Sequence, residues 1–191
     1  IFLFFITNIF SSEGICEIIP SDWIKSIVVI EQKDKDFKNY NLLGTGFLVG
    51  KSIKDKYYSC FLVTNRHVLE KETNIYVRLN KKDGKGFVRF KLDLTDEKGN
   101  ILWKTPVDTD IDVAACPIAL PENLDIKILL FDLFKSSDAL LEGDRVIFYG
   151  FPKVAYQDNA DIYKPAERAG IISLIENKYY LIDAMGFPGN S

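Results

Sequence analysis

Residues 57–70 read YYSCFLVTNRHVLE, and the pattern in this stretch decides the fold. The apolar run at 57–64, rich in aromatic and β-branched residues, predicts a strand. The break at 65–70 predicts a helical turn, and it contains His67, the only histidine among 191 residues. Because site residues cluster where strands end, His67 is a candidate functional residue, with a structural histidine as the alternative.

The same texture continues along the chain, with short apolar runs separated by turn residues. Further strands are predicted at 27–30, 42–49, 75–79, 87–92, 101–103, 113–118, 145–151, 168–175 and 179–182. Residues 127–134 fit either a strand or a helix. Because no long amphipathic helix pattern is present, the sequence predicts an all-β sandwich or barrel.

The composition limits the ligands and partners that the protein is expected to bind. Hydrophobic residues make up 47% of the chain, enough for a core, and the net charge of −3 offers no basic excess for nucleic acid. A single histidine and the absence of metal-ligand spacing predict no metal and no cofactor. The cysteines Cys16, Cys60 and Cys116 are expected to be buried free thiols, with one disulfide and a spare as the alternative.

The amino-terminal residues are apolar but too few to span a bilayer. Their length suits the hydrophobic region of a signal peptide, and residues 12–14 offer small side chains for cleavage after Gly14. We therefore expect 1–14 to be a signal-peptide remnant and the protein to be exported to the periplasm or outside the cell. No stable membrane anchor is expected after removal. A buried N-terminal strand is the alternative.

Three aspartates, Asp108, Asp110 and Asp112, lie downstream of His67. A calcium loop starting at Asp108 would need glycine and glutamate where Val113 and Ala119 stand, so calcium is not expected. Only Asp112 runs directly into an apolar strand, where a partly buried carboxylate can orient an imidazole. An acidic surface turn is the alternative.

The last four residues read PGNS, with Gly189 and Ser191 spaced for a tight turn. Such a turn exposes a hydroxyl and can aim backbone N–H groups at one point, as an oxyanion hole requires. A hydroxyl needs a base and a group that orients the base, and both candidates lie upstream.

Several motifs together resemble the trypsin-like peptidases of the chymotrypsin clan, closest to the bacterial HtrA or Deg group. They are GTGFLV at 44–49, FLVTNRHV at 61–68, DVA at 112–114, GDRV at 143–146, YGFP at 149–152, GIIS at 170–173, DA at 183–184 and PGNS at 188–191. The order of histidine, aspartate and serine is that of chymotrypsin. These motifs span about residues 24–191.

The resemblance implies a chymotrypsin-like double β-barrel with the site in the crevice between the barrels. The first barrel, complete at 22–120, would carry His67 as general base and Asp112 as orienting carboxylate. Residues 121–134 would connect the barrels, and 135–191 would form a truncated second barrel. Ser191 would be the nucleophile, with the N–H groups of Gly189 and Ser191 forming the oxyanion hole.

The implied activity is that of a serine endopeptidase acting on peptide or unfolded protein. The sequence shows no glycine-rich residues after Ser191, no PDZ domain and no IVGG start. We therefore expect a chain ending at Ser191 to be inactive by itself. The alternative is a non-catalytic trypsin-like module that binds peptide or a protein partner.

Met185, six residues before the serine, implies a preference for apolar or small residues at the cleaved position. A Cys60 nucleophile is disfavoured by its apolar strand.

Overall fold

The chain is described here by a computed structural model, which covers residues 3–7, 21–34, 36, 39–54, 57–134, 140–153, 164–176 and 179–185. Strands account for 52% of the structure and helices for 9%. The prediction of an all-β fold is therefore confirmed. Within the described ranges, no helix is both long and apolar enough to cross a membrane.

The larger of two sheets is curled into a half-barrel and has seven strands. Its strands are β2 (Ile27–Lys33), β3 (Tyr40–Lys54), β4 (Tyr57–Thr64), β5 (Asn74–Asn80), β6 (Phe87–Asp93), β7 (Ala114–Pro117) and β8 (Leu129–Leu130). The order is β6-β5-β2-β3-β4-β7, all antiparallel, and β8 joins β3 in parallel.

The smaller sheet has four antiparallel strands in the order β1-β9-β10-β11. They are β1 (Leu3–Thr7), β9 (Arg145–Gly150), β10 (Ala166–Ile175) and β11 (Tyr180–Asp183). Helices are short: a 3-10 helix at Ser21–Ser26, the single α-helix of the described chain, α1, at Arg66–Leu69, and a second 3-10 helix at Phe131–Leu133.

The main core lies inside the curl of the larger sheet and follows the alternation of its strands. In β5, Ile75, Val77 and Leu79 are buried in this core, while the residues between them belong to the other face of the sheet. The short helix α1 adds Val68 and Leu69, both buried, to the same cluster. The helix at the end of β4 is therefore held by packing, because four residues are too few for a helix stable by itself.

A second apolar cluster joins the two sheets. It combines Ile27, Val29, Phe47, Val49 and Leu129 of the larger sheet with Tyr149 and Phe151 at the end of β9. A buried hydrogen bond reinforces this joint, since the N–H of Phe151 donates to Thr45 Oγ1 at 3.0 Å. Two of the motifs noted in the sequence, around 44–49 and 149–152, therefore meet at one place.

The segment 121–134, expected to connect the barrels and ambiguous between strand and helix at 127–134, contributes β8 to the larger sheet. The ladder between β2 and β3 begins at the pair Ile27 and Phe47, so one edge of β3 is open beyond that point. Residues Leu129 and Leu130 pair with that open edge, opposite Val49 and Gly50. A Cβ on Gly50 would lie 2.6 Å from Ile128, so the close approach needs glycine there.

The strand predicted at 101–103 is absent. Ile101 and Leu102 are 58% and 42% exposed and gain little from a sheet. A tight turn, in which the N–H of Asp96 donates to the carbonyl of Asn100, leaves only single bridges at Ile101 and Lys104. Edge strands β6 and β7 pair with no further strand in the part of the chain that is described, so the sheet there is a curled half-barrel.

The structure also bears on the predictions for the amino terminus and for the cysteines. Residues 3–7 form β1 against β9, which is the strand alternative for the amino terminus, while signal-peptide removal and export stay predictions. Cys60 and Cys116 are free thiols, as expected, and burial raises the pKa of each to about 11. Cys16 lies outside the described residues.

Opposite the main core, the larger sheet buries one carboxylate between two arginines. Glu31 of β2 is fully buried, and its Oε2 accepts a 2.6 Å hydrogen bond from Arg89 Nε. Its Oε1 lies 3.5 Å from Arg78 Nη1. The guanidinium groups stack on aromatic rings, Arg78 over Phe87 at 3.7 Å and Arg89 over Tyr40 at 3.9 Å. The cluster joins β2, β5 and β6.

Replacing Glu31 with alanine tests this cluster. The variant Glu31→Ala removes the anion between the buried Arg78 and the partly buried Arg89, and we expect the free energy of unfolding to fall by about 3–5 kcal/mol. Urea unfolding followed by circular dichroism measures it. The control Glu97→Ala, at an exposed turn, should change stability by less than about 0.5 kcal/mol. A similar loss for both variants would contradict a special role for Glu31.

Candidate active site

The pairing of β4 with β7 builds the candidate site. Thr64, the last residue of β4, lies opposite Ala114, the first residue of β7. Extending this antiparallel register by two residues places residue 112 beside residue 66. The loop before β7 and the helix after β4 therefore meet at one end of the sheet, although they are far apart in the sequence.

His67 and Asp112 form a close pair at this position. The imidazole Nδ1 of His67 lies 2.6 Å from Asp112 Oδ2, and the backbone N–H of His67 donates to Asp112 Oδ1 at 3.0 Å. The carboxylate is thus held by both the side chain and the backbone of the same residue. The His67 side chain is 51% exposed, and its Nε2 makes no hydrogen bond within the described residues.

Asn65 is a third member of the site, and sequence reasoning did not single it out. Its Nδ2 donates to the carbonyl oxygen of Asp112 at 3.0 Å and to Asp112 Oδ2 at 3.0 Å. The residue is buried, with 8% of its surface exposed. An asparagine before a helix ordinarily suggests a cap, and nothing in the sequence indicates a contact with a residue 47 positions away.

The hydrogen bonds determine the charge of Asp112. Burial alone would raise the pKa of its carboxyl, but donors on His67 and Asn65 favour the ionised form more strongly. The net effect lowers the pKa of Asp112 from 3.8 to about 2. The carboxylate is therefore ionised at neutral pH and accepts the imidazole N–H.

The other two aspartates serve the loop and not the histidine. Asp108 Oδ1 accepts the backbone N–H of Asp110 at 3.0 Å, which fixes the turn locally. Arg66 ties the same loop to the helix, since its Nη1 donates to the carbonyl of Thr109 at 3.0 Å. Of the three candidates, only Asp112 contacts His67.

The remaining predicted site residues, Gly189 and Ser191, lie outside the described residues, so their roles stay predictions. Across the described ranges, no three His, Cys, Asp or Glu side chains lie close enough to bind a metal ion. The pKa of about 11 for Cys60 and Cys116 keeps both thiols protonated, so neither is suited to be a nucleophile.

Comparison with known proteins adds no assignment. The sequence matches no protein-family model and no curated protein. The class of protein therefore rests on the residues and geometry of the chain itself.

The lowered pKa of Asp112 predicts a change of stability with pH. A carboxyl whose folded pKa lies below its unfolded value contributes stability above about pH 4, and that contribution is lost as pH falls toward about 2. We expect the stability difference between wild type and Asp112→Asn to shrink as the pH falls from about 4 to 2. Urea unfolding at stepped pH measures it.

Asp110→Asn is the matched control for this titration. The Asp110 carboxylate makes no hydrogen bond within the described residues, so this variant should keep the wild-type pH dependence. An Asp112→Asn curve that runs parallel to wild type down to pH 2 would show that the carboxylate contributes nothing to folding.

Proposed function

We propose that this chain is a trypsin-like serine endopeptidase of the chymotrypsin clan. The observation that carries the proposal is the His67–Asp112 pair at the end of β4, in which Nδ1 is bound to the carboxylate and the imidazole is half exposed. A histidine that served only packing would have no need of an ionised carboxylate on one nitrogen and a half-exposed ring. Ser191 is the proposed nucleophile.

The geometry of the pair suits general base catalysis. Asp112 accepts a hydrogen bond from the Nδ1–H of His67, which selects the tautomer with its lone pair on Nε2. Nε2 takes the proton of the Ser191 hydroxyl while the serine oxygen bonds to the peptide carbonyl carbon. When the carbon–nitrogen bond breaks, the imidazolium returns this proton to the leaving amine. Water then hydrolyses the acyl-enzyme by the same route, and Asp112 stays ionised throughout.

The proposed double barrel, with a crevice between its two lobes, has indirect support. The joint between β3 and β9 brings together the motifs around 44–49 and 149–152 through the bond from Phe151 to Thr45. A two-lobed peptidase needs such a joint, because its catalytic residues come from both lobes and must keep a fixed separation. We further propose a peptide or unfolded-protein substrate and an exported location. From the position of Met185, six residues before Ser191, we propose a preference for apolar or small residues at the cleaved position.

A fluorophosphonate probe tests the nucleophile, because it labels only a serine activated by a neighbouring base. In the protein as its gene encodes it, we expect labelling of Ser191, and we expect Ser191→Ala and His67→Ala to abolish both labelling and peptide cleavage. Mass spectrometry locates the label. Labelling that persists at the wild-type rate in His67→Ala would overturn the proposed mechanism.

Two aspartate variants separate the orienting role from a general acidic surface. Asp112→Asn should lower kcat by about four orders of magnitude, because an amide favours the wrong imidazole tautomer. Asp110→Asn should lower it less than about threefold, because that carboxylate does not contact His67. Initial rates on a fluorogenic peptide measure both. A larger loss of kcat in Asp110→Asn than in Asp112→Asn would show that Asp110, and not Asp112, is the orienting carboxylate.

A further inference from the structure

We propose that Asn65 is a positioning residue that clamps Asp112 in the orientation required by His67. The geometry of the clamp stands by itself, while its consequence for turnover rests on the proposed function. Its two hydrogen bonds, each of 3.0 Å, use the backbone carbonyl and the carboxylate of the same aspartate. Fixing both groups holds the carboxylate at a set angle to its own backbone.

The clamp takes the place of the usual role of an asparagine at this position. Asn65 precedes α1 with extended backbone angles, φ −69° and ψ 144°, which is the conformation of a helix-capping residue. A capping side chain accepts an N–H from the first turn of the helix. The Asn65 side chain makes no such bond. Its amide is directed away from the helix, toward Asp112.

The orientation of the amide follows from its partners. Both contacts of Nδ2 are with oxygen acceptors, so a flipped amide would place an oxygen against two oxygens. In the orientation that satisfies Asp112, Asn65 Oδ1 is buried and has no hydrogen-bond partner within the described residues. A buried polar atom without a hydrogen bond is a local cost to stability, and costs of this kind are typical of functional sites.

The chemistry of an amide fits the task better than that of a charged side chain. Asn65 Nδ2 and His67 Nδ1 share Asp112 Oδ2, so a neutral donor orients this oxygen without adding a positive charge beside the imidazole. The nearby Arg66 is directed elsewhere, toward Thr109 and, at 3.9 Å, toward Glu70. The hydrogen bond between His67 and Asp112 is therefore kept separate from the guanidinium.

Serine at position 65 distinguishes a clamp from a cap. Serine caps helices about as well as asparagine but has a single, shorter donor. If Asn65 served the helix alone, Asn65→Ser would retain every property of the site. If it clamps Asp112, the helix will persist while the histidine loses its fixed tautomer.

The single histidine makes the measurement direct, because ¹H–¹⁵N spectra of ring-labelled protein contain one imidazole. Near pH 8 we expect wild type to show the Nδ1-protonated tautomer with a slowly exchanging, downfield Nδ1 proton. In Asn65→Ser that proton should exchange at least about tenfold faster, and the Nε2-protonated form should appear. Asn65→Asp, which replaces the donor with an acceptor, should show a greater loss. Arg66→Ala should leave the tautomer unchanged.

Thermal unfolding controls for the fold. Wild-type spectra in a folded Asn65→Ser or Asn65→Asp variant would overturn the clamp. The turnover arm uses the protein as its gene encodes it, and there we expect kcat to fall about tenfold or more with KM nearly unchanged. Failure of the wild type to cleave peptides would refute the proposed function but not the clamp. Active enzyme with normal kcat in Asn65→Ser would refute the positioning role.

Discussion

The ladder between β4 and β7 is the constraint on which the site depends. The pairing of Thr64 with Ala114 sets where the chain leaves each strand. The site residues lie within three positions of that pair: Asn65 and His67 come after Thr64, and Asp112 comes before Ala114. Because side chains alternate from one face of a sheet to the other, a slip of one residue would turn every side chain of β7 to the opposite face. The burial of Ala114 and Cys116 in the main core opposes such a slip.

The core and the site are coupled through α1. Val68 and Leu69 lie in the main core, and Asp112 Oδ1 accepts the backbone N–H of His67, so the start of α1 is fixed without a cap from Asn65. A buried amide oxygen that has no partner among the described residues, as Asn65 Oδ1 has none, costs about 1–3 kcal/mol. Packing of the two apolar residues offsets this loss, since burying one such side chain contributes about 1.5–3 kcal/mol. The core thereby leaves Asn65 available to bind Asp112.

Where the sequence failed, tertiary contacts were the reason. Residues 101–103 have the apolar character of a strand, yet Ile101 and Leu102 face solvent, and the segment makes only an isolated bridge at Ile101. Residues 127–134 were ambiguous because strand β8 is two residues long and depends on an open edge of β3. Neither outcome follows from local pattern. By contrast, β4 was predicted with its bounds, since an apolar run ending at a polar break is a local signal.

The sequence by itself determined the all-β class, most strand positions and the choice of His67, because alternation, turn residues and a unique histidine are all visible along the chain. It also favoured Asp112 among three aspartates, since only that residue abuts an apolar strand. The tertiary structure alone decided that Asp112 contacts His67 at 2.6 Å and that Asn65 binds the same carboxylate. The physical reason is that these contacts join residues 45 and 47 positions apart. Only the register of β4 against β7 specifies that distance, and no local propensity encodes it.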